Sequence, residues 1–123
     1  MVFKYDPCVL HKMVTVYVLK LNDDNVFYIG ATERMWEDRI TDLATGINVP
    51  KFVGKRKFKV EEVIQNVTSL EEMTTTLRYM KEYGIDNARG ACFSNLILTQ
   101  KQLNMIMNFM DILDCCEKYL TCS

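Results

Sequence analysis

The chain has 123 residues, 49% of them hydrophobic and 25% charged, with a formal net charge of −1. That length builds a single core rather than two, and the balance excludes a disordered chain. Near-neutral charge also argues against a dedicated DNA-binding domain, which is usually basic.

Residues 1–13 read as a lead-in segment punctuated by Pro7, without the apolar run of a secretory leader. Thr15 to Leu21 is rich in β-branched and aromatic residues and predicts a strand. Asn22-Asp23-Asp24-Asn25 supplies turn chemistry, and Val26 to Gly30 predicts the returning strand of a hairpin. If Leu21 pairs with Val26, Leu19 faces Tyr28 and Tyr17 faces Gly30. Tyr17 and Tyr28 are then diagonal neighbours on one face, roughly 7–8 Å apart at the backbone. Gly30 leaves space for the Tyr17 phenol.

A helix is expected from about Glu33 to Thr45, with Met35, Trp36, Ile40 and Leu43 at helical spacing and Gly46 as its stop. Trp36 reads as core. The loop to Phe58 carries Pro50 and Gly54, and Lys51, Lys55, Arg56, Lys57 and Lys59 crowd into it and the start of the next strand. This cluster is either a solvated loop or a phosphate-facing patch. Lys59 to Asn66 predicts a third strand. Ser69-Leu70-Glu71-Glu72 has the form of a capping box opening a helix to Tyr83, which Gly84 ends.

Ile85 to Asn95 reads as irregular. Thr99-Gln100-Lys101-Gln102 is a second capping box, opening a helix with Leu103, Ile106, Met110, Leu113 and Leu120 at alternating three and four spacing. That seam is either core or a surface for a second copy or another protein. The five cysteines, Cys8, Cys92, Cys115, Cys116 and Cys122, are odd in number and scattered, which points to free thiols in a reducing, intracellular setting. Cys115, Cys116 and Cys122 lack four-ligand spacing, and His11 is the only histidine, so zinc is not expected. No apolar stretch reaches membrane-spanning length, and no membrane partner is expected. The pattern as a whole is a single α+β domain.

Phosphodiester hydrolysis assisted by a metal needs an activated water, a cation on the phosphate and a carboxylate for the ion. A tyrosine is a weak base unless a cation lowers its pKa. Arginine keeps its charge and can grip two phosphate oxygens at once. One carboxylate is enough for a magnesium ion that retains its waters. Tyr17, Tyr28, Arg39 and a glutamate on the second helix would meet this list.

Thr15-Val16-Tyr17, Tyr28-Ile29-Gly30, Thr32 and Arg39 resemble the motifs of the GIY-YIG nuclease family. The likeness continues in Tyr79-Met80-Lys81-Glu82-Tyr83-Gly84-Ile85-Asp86-Asn87-Ala88-Arg89-Gly90, similar to a signature of a subgroup found in large DNA viruses and some protists. It spans about residues 14–98, with 99–123 as an added C-terminal helix and cysteine-containing tail. The resemblance implies a small three-stranded antiparallel sheet flanked by helices. It also implies a DNA endonuclease using one magnesium or manganese ion, with Tyr17, Tyr28 and Arg39 catalytic and Glu72 holding the metal. Lys51, Lys55, Arg56, Lys57 and Arg89 are the candidate DNA contacts.

Three departures stand against this. Thr15 replaces the glycine of the first motif, Leu43 stands where the family has a histidine, and Ala91 replaces the second glycine of the signature. They favour an alternative: a catalytically inactive binding or structural protein, of the nucleus or cytoplasm or of a viral particle. A further option is a catalytic module that depends on a separate DNA-binding partner. Each candidate has a structural role to set beside its chemical one. Tyr17 and Tyr28 can be cross-strand packing, and Arg39 can pair with Glu33 or Asp42. Glu72 can cap Ser69, with Glu71 its competitor for a metal. Arg89 can tie down its own loop through carbonyls.

Overall fold

The computed structural model describes residues 12–121, with side chains through Cys115. The lead-in segment before Lys12, with Cys8 and His11, lies outside the described residues, as do Cys122 and the side chains of Cys116 and Leu120. Strands β1 (Met13–Leu21) and β2 (Phe27–Thr32) are followed by helix α1 (Trp36–Ala44), strand β3 (Phe58–Thr68) and helix α2 (Leu70–Tyr83). A 3-10 turn (Ile85–Asn87), a short strand β4 (Ala88–Gly90) and helix α3 (Gln100–Thr121) complete the fold.

The sheet order is β3-β1-β2-β4, with β1 antiparallel to both β2 and β3. The α+β class is as expected, but the sheet is four-stranded and mixed. Ala88–Gly90, within the segment read as irregular, lies parallel to β2. Three residues ending in glycine carry no period-2 pattern, so the strand is invisible to alternation. Gly90 is what lets it dock: a Cβ there would lie 2.5 Å from the Ile29 carbonyl oxygen and 2.6 Å from Thr76 Oγ1.

Alternation along β1 feeds two cores. Val14, Val16 and Val18 pack with Phe27, Ile29, Leu77, Met80, Phe93 and Ile106 beneath α2 and α3. Tyr17, Leu19 and Leu21 pack with Leu43, Phe52 and Val53 beneath α1 and the basic loop. Tyr79 and Tyr83 serve the first core, where the Phe27 ring lies 4.8 Å from Tyr79 and 4.6 Å from Tyr83.

The expected hairpin register is observed, with Leu19 opposite Tyr28 and Tyr17 opposite Gly30. The Thr99 capping box also forms: Thr99 N–H donates to Gln102 Oε1 at 2.9 Å, and Gln102 N–H to Thr99 Oγ1 at 3.1 Å. The Ser69 box does not form, because Ser69 is itself helical and makes no side-chain capping bond. Helix α1 starts at Trp36 rather than Glu33, leaving Met35 as its exposed N-cap and Trp36 half-buried instead of core. The α3 seam packs inward, with Ile106 fully buried and Leu103, Met110 and Leu113 against the first core. Among the described residues no helix is long and apolar enough to cross a membrane.

Candidate functional site

Tyr17 stands in the middle of β1, flanked by Gly30 on β2 and Val63 on β3. It is only 2% exposed and is among the largest fully buried side chains. Its fit against Gly30 is close: a Cβ at that glycine would lie 2.3 Å from the Tyr17 hydroxyl oxygen. The phenol lies under α1, where Arg39 Nε donates to Tyr17 Oη at 3.4 Å. The other two guanidinium nitrogens of Arg39 donate to the carbonyls of Ile47 at 3.2 Å and Asn48 at 2.9 Å. Arg39 therefore does not pair with Asp42, which is taken by Arg34 at 2.7 Å. A guanidinium has five N–H groups, and these three bonds leave two for a ligand. Thr32 serves the entry to α1, its hydroxyl accepting from Arg34 N–H at 3.1 Å.

Tyr28 sits on the same face of the sheet, half-buried, and its pKa is pushed up to about 12. Burial is the main cause; the Tyr17 phenol and the Glu72 carboxylate add to it, and Arg39 opposes it. Burial also raises Tyr17, against the hydrogen bond and charge of Arg39 and with Glu72 adding to the rise. Glu72, in the first turn of α2, is half-buried and carries a raised pKa, because burial outweighs a hydrogen bond from the Ala91 N–H. That bond replaces the expected one to Ser69. Ala91 makes it from a left-handed backbone (φ 50°), a conformation that favours glycine.

Tyr17, Tyr28, Arg39 and Glu72 thus come from β1, β2, α1 and α2 into one electrostatic neighbourhood. Among the described residues no group of three or more His, Cys, Asp or Glu side chains converges. The donors here are one carboxylate and two phenols, all oxygen, which suits a hard cation retaining most of its waters, such as magnesium or manganese. Glu72 is the residue that would hold such an ion. Glu71 is not the competitor it looks, since its carboxylate accepts from Thr74 Oγ1 at 2.6 Å, within its own helix.

The remaining candidates separate into two sets. Lys51, Lys55, Arg56 and Lys57 are all exposed on the loop between α1 and β3, while Lys59 pairs with Asp23 at 3.0 Å. Arg89 is 4% exposed and donates to the carbonyls of Asn95, Ile85, Ala88 and Leu96. Its guanidinium also lies 5.3 Å from the Phe52 ring centroid. Of its two readings, the geometry is that of a loop tie: a buried cation whose donors are spent on the backbone has little left for a phosphate. Leu43 is 4% exposed and fills the core beside Tyr17.

Three partners in the site have no sequence signature: the carbonyls of Ile47 and Asn48 and the N–H of Ala91. A backbone atom is the same at every position, and only chain geometry brings it to a side chain. Comparison with protein-family models, with curated proteins and with solved structures returned no match.

Proposed function

We propose that this domain is GIY-YIG-like and hydrolyses phosphodiester bonds in DNA, inside the cell or in a viral particle, with one magnesium or manganese ion. A single observation carries the reading. Two phenols, a guanidinium and a carboxylate come from four separate elements: Arg39 Nε donates to Tyr17 Oη at 3.4 Å, and both phenols lie within reach of the charges of Arg39 and Glu72. Such an ion, when bound, offsets charge on the phosphate and makes water more acidic.

The chain's own groups divide the remaining work. Arg39 offers its two spare N–H groups to phosphate oxygens, in the geometry that makes arginine effective against spreading negative charge. Tyr17 is a positioning residue: its oxygen holds Nε and fixes the plane of the guanidinium. Tyr28 is the less buried phenol and the one open to a cleft, so it is the group to exchange a proton with water. Near a cation its raised pKa falls, which is the condition for it to accept that proton. Glu72 supplies the anionic oxygen for the ion.

Nicking of supercoiled plasmid tests this directly. The wild-type chain is expected to nick with magnesium or manganese, and Arg39→Ala and Glu72→Gln each to slow the reaction by about 10²-fold or more. Absence of nicking with both ions would refute hydrolysis.

A second reading keeps the scaffold and drops the chemistry: a non-catalytic protein that binds through the basic loop. The buried Leu43 favours it, since an aliphatic group there can neither move a proton nor contact a phosphate. DNA binding without nicking is its signature.

A further inference from the structure

A cleft of about 550 Å³ opens beside Tyr28, within the roughly 300–1,000 Å³ range of small-ligand sites. Pro50 and Lys51 of the basic loop line it, as do Ser94 to Ile97 of the segment after β4. The geometry points to this cleft as the seat of an unpaired nucleobase, adjoining the phosphate addressed by Tyr28 and Arg39. The inference rests on the phosphodiester reading above and names its substrate class: DNA carrying an unstacked base, as in a bulge, flap or frayed end, rather than intact duplex.

Three observations converge on it. First, the cleft is held from within. Arg89 donates to the carbonyls of Asn95 and Leu96 in one wall, and its guanidinium lies over Phe52, beside Lys51 in the other. Arg39 holds the start of the same loop through Ile47 and Asn48. Two arginines therefore fix the spacing of the walls, and binding there pays little to order them.

Second, the cleft's chemistry is that of a nucleotide. The Tyr28 ring, Pro50 and the Leu96 and Ile97 side chains are flat or aliphatic surfaces for a base. The exposed Ser94 hydroxyl and Asn95 amide can meet its edge, and the exposed Lys51 ammonium can meet the neighbouring phosphate. Third, Leu96 is 52% and Ile97 85% exposed, two adjacent large aliphatics left in water at the lip. Proteins that unstack DNA use such side chains as wedges between base steps. Here the wedge stands next to a cavity that can receive the displaced base.

The test uses the whole chain in chelator, so that binding is read without cleavage. Its ligand is a short DNA duplex with one bulged fluorescent purine analogue whose emission rises on leaving the stack. Matched duplexes carry an abasic bulge or no bulge. The expected result is a rise in emission on binding, an affinity about tenfold weaker for the abasic bulge, and loss of most of the emission change in Leu96→Ser/Ile97→Ser. Both residues are exposed, so the variant is expected to fold. Equal affinity for the three duplexes with no emission change overturns this inference and leaves the phosphodiester reading standing. No salt-sensitive binding to any of them overturns both.

Discussion

The phenols of Tyr17 and Tyr28 share one guanidinium, that of Arg39, and both phenols and the Glu72 carboxyl near them are pushed towards their protonated forms. A phenol whose folded pKa stands near 12, above its ordinary 10.0, binds its proton more tightly in the folded chain. Its contribution to stability is complete below pH 10 and is lost as pH rises towards 12. For Tyr28 that amounts to about 2–3 kcal/mol, and Tyr17 adds to it in the same direction. Denaturant unfolding followed across that window is expected to show the loss. In Glu72→Gln the loss should shrink, because one source of the upward shift is gone. The same linkage applies to Glu72 at lower pH: the contribution of its carboxyl is complete below 4.5 and lost as pH rises through its raised pKa. At pH 8, Glu72→Gln is therefore expected to be at least as stable as the parent while losing nicking. A gain of stability with a loss of activity is what a strained functional carboxylate gives.

Among the elements, α3 shows most plainly how an amphipathic stripe finds its partner. Among the described residues, Leu103, Ile106, Met110 and Leu113 of its apolar seam pack on the chain's own first core, with Ile106 fully buried. Ile106→Ala is expected to cost about 2–5 kcal/mol in unfolding. Met110→Lys, on the half-buried part of the seam, should leave the elution volume in size exclusion unchanged. A shift to smaller size in that variant would mean the seam joins two chains after all. The hairpin and the Thr99 cap were legible in the sequence because each depends on residues close together: alternation, a polar turn, a hydroxyl three residues from an amide. Strand β4 was not, since its three residues gain their identity from β2, far upstream. The Ser69 box looked sound locally and failed because Ser69 itself takes a helical backbone, while Glu72 meets Ala91, which only the tertiary fold brings near. That Tyr17 and Tyr28 share a face of the hairpin was readable from the strand pairing. What holds Arg39, and what occupies Arg89, was not, because most of those acceptors are peptide carbonyls.

For the whole molecule, a net charge of −1 hides an uneven surface. Lys51, Lys55, Arg56 and Lys57 are exposed beside the second core, whereas the groove between α2 and α3, which cover the first, mixes Glu71 and Glu82 with Arg78 and Lys81. If the basic loop meets phosphates, the log–log dependence of DNA affinity on salt is expected to flatten by about 1 for each of these cations replaced by alanine. An unchanged slope would leave the loop merely hydrated. The pairing of Tyr17 with Gly30 bears on descent as well as on shape. With the phenol seated where a methyl group would have to go, neither partner can be exchanged first without a clash or a hole. Packing alone can thus preserve this pair through descent, whatever the chain does. Tyr28 and Glu72, less tightly enclosed, are the positions whose retention across relatives would testify to selection for hydrolysis.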